Sequence, residues 1–435
     1  MKTIRLILVA IVVLIVFVIA AFAQEANALS LGECLEKATA NSHTLSASRE
    51  KANAAHFAYQ STRAGRLPQL AVNGKADWIS ETMSLQLPAN PFFAMPEIEF
   101  GDGTNYDIAV ALNAPLFTGG SLRSSEKAAF EEARASHLDV KADSLELLYQ
   151  VRLAYFRALA AQEAVDVARQ GRDAIQRHLE ELNGMIEQGM GSREAKLLTQ
   201  ARLSDAERGL INTQTALRSS RIALGRLIGE PGSEVSPAGS LDESLLQGDL
   251  KAAAYLPERP DLLAFDARSA SNTRRIDAAR GTFLPTVSAQ AAMHYGKPGI
   301  DQVTNEWMDY ATVGVRLSWT LFDWGQRSHT VQQVRAMENL LQDSRQAVED
   351  GWVTRLATAR LQLDSTIREH ELAQQRVQLY EEHLILLTDR YRQGLATESE
   401  RLDAEDEVTV ARRNLVAAQA NIRLAETDIL FVLGQ

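Results

Sequence analysis

The side chains able to ligate metal or act as acid, base or nucleophile are few and poorly spaced for such work. The 435 residues include eight histidines and one cysteine, Cys34. The residues three before the histidines are Ala40, Asn53, Arg134, Ile175, Ala291, Gln326, Ile367 and Tyr380. The Glu-x-x-His pattern with which helical carboxylate bundles hold metal therefore does not occur. A His-Glu-x-x-His run and a glycine-rich phosphate loop are missing as well, and Cys34 reads as a small residue on a helix face. The sequence thus gives no catalytic residues, no metal site and no cofactor, and points away from an enzyme. Its densest chemistry is acidic: Glu398, Glu400, Asp403, Glu405, Asp406 and Glu407 crowd a helix start, where carboxylates complement the helix dipole.

Charge narrows the partners. The formal net charge is −11, and it would be −13 without the first 23 residues, which hold Lys2, Arg5 and no acid. That balance points away from a nucleic-acid groove and from an anionic-lipid surface. An unbroken apolar run, Leu6 to Ala21, follows the two cations and leads into Ala21-Phe22-Ala23, which reads as a secretory signal peptide over 1–23. An uncleaved inner-membrane anchor is the alternative, and a second small-x-small site, Ala26-Asn27-Ala28, leaves the cut position open. No later run reaches the ~18 consecutive apolar residues of a membrane helix. If the mature chain enters a membrane, it does so as strands.

Proline is absent between Pro115 and Pro231, and again after Pro298. Because proline inside a helix costs about 3 kcal/mol, these spans predict very long helices. They belong to a duplication. Leu116-Phe117-Thr118-Gly119-Gly120 recurs as Leu321-Phe322-Asp323-Trp324-Gly325 at an offset of 205. The same offset carries Gln188-Gly189 onto Gln393-Gly394 and Leu227-Ile228-Gly229 onto Val432-Leu433-Gly434. Upstream, Gly65-Arg66-Leu67-Pro68 matches Thr282-Phe283-Leu284-Pro285, and the extra length of the first copy falls around Pro88, Pro91 and Pro96, a loop signal.

The expected organisation is a first repeat over 24–229, a linker over 230–257 and a second repeat over 258–435. Period-two alternation predicts strands at about 68–80 and 105–117, then 285–295 and 310–322. Tyr106, Ile108, Val110, Leu112 and Leu116 form one face, Val313, Val315, Leu317, Trp319 and Leu321 its counterpart, while the opposite faces are polar or small. Each strand is about as long as the ~9–11 residues that cross a bilayer in a barrel. Trp78, Trp307, Trp319 and Trp324 fall in or near the hairpins, as an interfacial belt requires. Between the glycine motifs lie 68 residues in each copy, a helix of roughly 100 Å at ~1.5 Å per residue. Leu147, Val151, Ala154, Ala158, Ala161, Val165 and Ala168 make its heptad seam; Trp352, Leu356, Ala359, Leu363, Thr366, His370 and Ala373 make a weaker one. An entering helix at about Leu29–Arg66 and a returning one at about Ser192–Gly229 complete the first unit.

Four strands cannot close a barrel, and open edges do not survive in lipid. Several chains must pool their strands, and a trimer would supply twelve. At this point the sequence resembles the TolC-like outer-membrane efflux protein family across nearly all of the mature chain. The resemblance rests on the duplicated order, Arg66-Leu67-Pro68, the Pro115-Leu116-Phe117 and Gly119-Gly120 junction, Leu321-Phe322-Asp323-Trp324-Gly325 and Tyr391-Arg392-Gln393-Gly394. It implies a mostly α fold with a β-barrel portion: a homotrimer with a twelve-stranded outer-membrane barrel in lipid, continued by a long periplasmic α-helical barrel. It also implies docking to a periplasmic adaptor (membrane fusion protein) and an inner-membrane pump, for export of small molecules, metals or proteins.

By the same resemblance, Gly189, Gly394 and Tyr391 mark the tip turns that meet the adaptor, Glu400 and Asp403 occupy the positions of a tip acidic ring, and Pro115, Phe117, Gly120, Phe322 and Gly325 carry the barrel-to-helix motifs. The family's interchain tip locks fall here on Ala195 and Ala396, for which Glu194 and Arg390 are candidate substitutes. The rival reading is a periplasmic adaptor or helical-hairpin scaffold of an export complex.

Overall fold

The computed structural model describes residues 28–85, 98–100, 102–188, 192–246, 258–301 and 303–435. The expected signal peptide over 1–23, the loop expected around Pro88, Pro91 and Pro96, Gly189 and residues 247–257 of the expected linker lie outside them. Two compact units share the chain: one takes Met1–Arg49, Asp139–Asp261 and Val348–Gln435, the other Glu50–Leu138 and Leu262–Ala347.

The chain enters through α1 (Leu31–Asn41), started by a capping box in which Ser30 and Glu33 satisfy each other's backbone N–H. The single entering helix expected from the sequence is broken at Ser42. That residue is extended (ψ 116°), and its hydroxyl accepts from the Leu45 N–H at 3.2 Å, so α2 (His43–Ala64) begins with a side-chain cap. Strands β1 (Gln69–Trp78) and β2 (Thr104–Phe117) lead to α3 (Ser121–Glu187) and α4 (Arg193–Leu227). The second repeat follows the same order: α5 (Pro260–Gly281), β3 (Thr286–Lys297), β4 (Met308–Ser318), α6 (Gln326–Arg392) and α7 (Glu398–Val432). Both long helices have 67 residues and both returning helices 35. All four of their bounds are displaced by the same 205 residues that separate the sequence motifs.

In the first unit the core is built on α3, from the start of its heptad seam and the larger side chains beside it. Leu147, Val151, Tyr155, Phe156 and Leu159 cluster with Cys34, Ala38 and Leu45 from the entering helices, Leu224 and Ile228 from α4, and Val416 and Ala420 from α7. A second cluster joins Leu356, Ala359 and Leu363 of α6 to Ile422, Ile429, Leu430 and Val432 of α7. Fully burying one such Leu, Ile or Val contributes roughly 1.5–3 kcal/mol. Thr366 continues the α6 seam, buried, with its hydroxyl returned to Leu363 O.

In the second unit the four strands form one antiparallel sheet in the order β1-β2-β3-β4, with a bulge where Pro115 faces Ser288 and Phe117 faces Val287. The last strand ends at Ser318, earlier than the expected 322. The matching residues of the first copy, Leu116 and Phe117, run beside β3, whereas β4 is an edge with no strand beyond it among the described residues. The helix segments of this unit are tied by Arg66 to Glu126, Arg275 to Glu132 at 3.2 Å, and Asn272 to Val334 O at 2.9 Å.

The two strand-to-helix junctions need left-handed backbone: Gly119 and Gly120 have φ of 63° and 83°. At Gly119 a Cβ would also stand 2.1 Å from the Gly281 carbonyl oxygen and 2.9 Å from the Leu284 Cβ, while at Gly120 it would meet nothing within 4 Å. Gly120→Ala should therefore cost about 1 kcal/mol of backbone strain, and Gly119→Ala at least twice that. The check is the shift in thermal midpoint; equal shifts in the two variants would refute the close approach of Gly281.

Candidate functional site

Two regions carry the residues singled out by the sequence. The first is the sheet. Leu70, Val72, Ile108, Val110, Leu112, Met293, Val313, Val315 and Leu317 stand exposed on one face. Pairs such as Leu70–Leu112 and Val287–Leu317 lie opposite each other in the ladder. Aromatic groups bound this apolar band at both ends. Tyr106 and Tyr295 stack on Trp307 at 6.1 and 5.0 Å, and Trp78, exposed at the end of β1, lies opposite Thr104 in the ladder. At the helix end, Trp319 donates its indole N–H to Phe283 O at 3.1 Å, and Phe322 meets Trp324 at 4.9 Å. About ten residues at ~3.3 Å rise, tilted by ~40°, span roughly the 25 Å apolar height of a membrane barrel. No helix of the described residues is long and apolar enough to cross a membrane.

The other face is small and polar. Ala71, Ala111, Ala292 and Thr312 form one row across all four strands. The neighbouring rows hold a cross-strand network in which His294 meets Asp107 at 3.1 Å and Thr312 at 3.2 Å and lies flat on Tyr310 at 4.6 Å.

At the junctions, Trp324 and Gly325 both take positive φ, 55° and 86°, matching the glycine pair of the first copy. Asp323 accepts from the N–H groups of Gly325 and Arg327 at 3.2 Å and from the Arg327 guanidinium. The hydrogen bond from Arg327 leads in holding that carboxyl below its ordinary range, with backbone bonds adding to it. Arg327 also donates to Thr282 O at 3.1 Å and covers the Phe283 ring. The second copy thus turns its corner with an ion pair where the first uses a glycine pair.

The second region is the end of the first unit where α3, α4, α6 and α7 meet. Gly394, φ 74°, ends α6 with the Leu395 N–H donated back to Arg390 O at 2.8 Å, the return bond of a left-handed C-cap. Arg390, a candidate lock, also donates to Leu395 O at 3.2 Å. Glu400 is drawn into the start of its own helix: Thr397 and Glu400 form a capping box. Hydrogen bonds from the Thr397 backbone and then its hydroxyl hold the Glu400 carboxyl below the ordinary range. Asp403 reaches across to Arg202 of α4 at 2.5 Å. Ala195 receives the Thr199 hydroxyl at its carbonyl, and Glu194 lies in the first turn of α4 beside the Ser192 cap.

The residue that gathers these helices is one that sequence reasoning placed only in the acidic crowd. Glu398, the first residue of α7, is 9% exposed and His178 of α3 is 3% exposed. His178 Nε2 lies 2.7 Å from the Glu398 carboxylate, and the Thr199 hydroxyl donates to the same oxygen at 2.9 Å. Tyr391 of α6 stands edge-on to the His178 ring at 5.9 Å; desolvation, then its hydrogen bond to Glu398, pushes its phenol up to about 12. His178 and Glu398 are separated by 220 residues, so no local spacing could signal the pair. Among the described residues no group of three or more His, Cys, Asp or Glu is arranged to hold a metal ion.

The apolar band with aromatic ends lies on a sheet set within a duplicated series of long helices, and known proteins share this chain's pattern and fold. The sequence pattern described as "Outer membrane efflux protein" matches residues 34–230 and 253–435. The alkaline protease secretion protein AprF of Pseudomonas aeruginosa is 28% identical over 245 residues, 54% of this chain and 50% of that protein, so the match spans about half of that relative's length. The cation efflux system protein CusC of Escherichia coli K12 is 22% identical over 413 residues, 92% of this chain and 85% of that one. Among solved structures, CusC superimposes with a TM-score of 0.76 at 17% identity, covering 93% of this chain and 91% of that chain. The outer membrane protein VceC of Vibrio cholerae gives 0.76 at 19% identity, covering 93% and 96%. With the family pattern matched over most of its length and the fold shared, the chain belongs to the outer membrane efflux protein family.

Proposed function

We propose that three copies of this chain form an exit duct through the outer membrane, the channel component of a tripartite efflux pump or a type I secretion system. The observation that carries this reading is an imbalance between the two repeats. Val416 of α7 is 9% exposed, packed in the cluster built on α3, yet its counterpart 205 residues earlier, Ile211 of α4, is 61% exposed. On the other side of the same contact, Phe156 of α3 is 3% exposed, whereas its counterpart Leu361 of α6 is 73% exposed. The chain uses the contact once, α3 against α7, and leaves the matching faces of α6 and α4 bare. A second copy supplies what is missing, α6 of one against α4 of the next. Such head-to-tail contacts close into a ring.

The sheet carries the same message. Its edges β1 and β4 have no partner strand among the described residues while its apolar face is suited to lipid, so closure needs strands from other copies. Three copies give twelve strands, wider than the eight-stranded barrel that its own side chains fill, and the row of Ala71, Ala111, Ala292 and Thr312 would keep the lumen open. Membership of the family supports the trimer and the place of the helices in the periplasm. The names of the relatives, protease secretion and cation efflux among them, support export as the work. In this reading the turns at Gly189, Gly394 and Tyr391 meet a periplasmic adaptor that links the duct to an inner-membrane pump. Glu400 and Asp403, three of each, form acidic rings at the tip that favour cations. The adaptor reading of the chain itself is disfavoured: its strands sit at matching points inside both helical repeats, where an adaptor carries separate β-domains beside a single hairpin.

Purified protein should insert into planar bilayers and give discrete conductance steps; a folded trimer that is silent across pH and salt would overturn the channel. Val313→Arg, on the outward face, should weaken membrane insertion by about 2–4 kcal/mol if it lies near the bilayer midplane, read as loss from the outer-membrane fraction. Ile211→Asp or Leu361→Asp should leave the single chain helical but sharply reduce trimer recovered on native gels. Glu400→Gln with Asp403→Asn should weaken block by multivalent cations; unchanged block would remove both residues from the tip ring.

A further inference from the structure

The two repeats pair their strands in one register. Gln69 stands opposite Asn113 and Thr286 opposite Ser318, and the sequence offsets, 217 for β1 onto β3 and 205 for β2 onto β4, turn the first pair into the second. The remaining ladder, β2 on β3, sets Ile108 opposite Tyr295, Ala109 opposite His294, Val110 opposite Met293 and Ala111 opposite Ala292. Its counterpart would be β4 on a β1, a pairing absent among the described residues. Carried over by the same offsets, that ladder puts Val313 opposite Trp78, Gly314 opposite Asp77, Val315 opposite Ala76 and Arg316 opposite Lys75 of a second copy.

Faces and charges both agree with this pairing. Val313, Val315 and Trp78 are exposed on the apolar side, and a slip of one residue would turn the two valines into the lumen. A slip of two would keep the faces but break the common stagger of the two repeats, and a closed barrel needs one consistent stagger. On the inner face Lys75 is joined to Asp77 and stands opposite Asp107, which meets His294 at 3.1 Å. Two carboxylates against one ammonium leave this cluster a formal −1, His294 aside. Arg316, exposed on the inner face of β4, has no hydrogen-bond or ion-pair partner for its guanidinium among the described residues. One edge of the sheet thus holds a cation without an acid, and the strands at the other edge an acid in surplus.

We propose that β4 of one copy joins β1 of the next in this register, and that Arg316 completes the Lys75–Asp77–Asp107 cluster of that next copy, a charged seam on the lumen side by which the chain selects a second copy of itself. The seam presupposes the ring of the channel reading; what it adds is the register and the residues that hold it. Opposite Asp77 stands Gly314, where even a Cβ would meet nothing within 4 Å. The guanidinium can therefore lie along β4, past the glycine, to the Asp77 carboxylate on the diagonal, a distance that long side chains span. The chain already takes such a step in the equivalent ladder: His294 stands opposite Ala109 and passes that small residue to reach Asp107. Arg316 and Lys75 directly opposite each other would repel, and Asp77, shared by both, offsets the repulsion. The seam also gives Leu321 and Phe322 a strand to lie against. Carried over, the bulge at Pro115 and Phe117 sets Thr320 opposite Ala71 and Phe322 opposite Leu70, so β4 lengthens beyond Ser318 in the ring.

Cysteine cross-linking of the full-length protein in outer membranes reads the register and leaves the charges alone. Val315→Cys with Ala76→Cys should give covalent dimers and trimers on denaturing gels after oxidation, since directly opposed residues lie about 4.5–5.5 Å apart between Cα atoms, within disulfide range. Val315→Cys with Gly74→Cys, or with Trp78→Cys, tests a slip of two in either direction; stronger cross-linking there than at Ala76 overturns the register. The ion link is read as coupling. Arg316→Glu and Asp77→Arg should each lower the trimer recovered on native gels about ten-fold, three weakened cross-strand pairs acting together, and the double variant should recover most of it. Should the reversals disturb folding of the single chain, Arg316→Gln and Asp77→Asn should together cost no more than either alone. Independent, additive losses overturn the link. A wild-type chain that never forms a trimer overturns the channel reading and the seam together, whereas a trimer cross-linked in a shifted register overturns the seam alone.

Discussion

In lipid every backbone N–H and C=O must find a partner within protein, and this constraint governs the rest of the molecule. The sheet of β1 to β4 presents an apolar face with aromatic ends and two edges left unpaired among the described residues. That combination has no stable resting place as a single chain, neither in water, where Val313 and Leu317 would invite aggregation, nor in lipid, where the edges would stay unsatisfied. The premature end of β4 at Ser318 expresses the same fact locally: Leu321 and Phe322 have the residues of a strand and no strand to lie against, while Leu116 and Phe117 in the first copy have β3.

Duplication turns this deficit into a rule for assembly. Because both repeats have helices of equal length set 205 residues apart, a contact made once inside the chain can be made again between chains. The buried Val416 and Phe156 describe the contact, and the exposed Ile211 and Leu361 describe its vacancy. A ring proposed on this basis uses one kind of helix contact all the way round, within copies and between them, and its strands close by the same operation. The two repeats are not interchangeable, however. The first turns into its long helix through Gly119 against Gly281, the second through Asp323 and Arg327, and the acidic residues Glu398, Glu400 and Asp403 belong to the second alone.

The tip shows how those acids divide their labour once folded. Glu400 caps its own helix, Asp403 binds α4, and Glu398 turns inward to His178, Thr199 and Tyr391. Three carboxylates within two turns thus serve helix initiation, an exposed link and a buried one. The buried one, Glu398 with His178 at 2.7 Å, ties α7 to α3 across 220 residues of one chain.

Much of this was written in local pattern. Proline-free spans and the heptad seam from Leu147 to Ala168 specify long helices, since proline is excluded from their interior and the seam needs a partner. Alternation through Tyr106–Leu116 and Val313–Leu321 specifies strands with one face for lipid, and the repeated glycine motifs mark where chain direction changes, because glycine takes left-handed backbone at no steric cost. Sequence alone therefore determined the element order, the duplication, the outward face and the family resemblance. Tertiary structure decided what depends on residues far apart in the chain: the break at Ser42, the end of β4, which of two equivalent helix faces is covered, and which acid is buried. Glu398 and His178 are 220 residues apart, and burial of a charge follows from what packs around it, which no local spacing encodes.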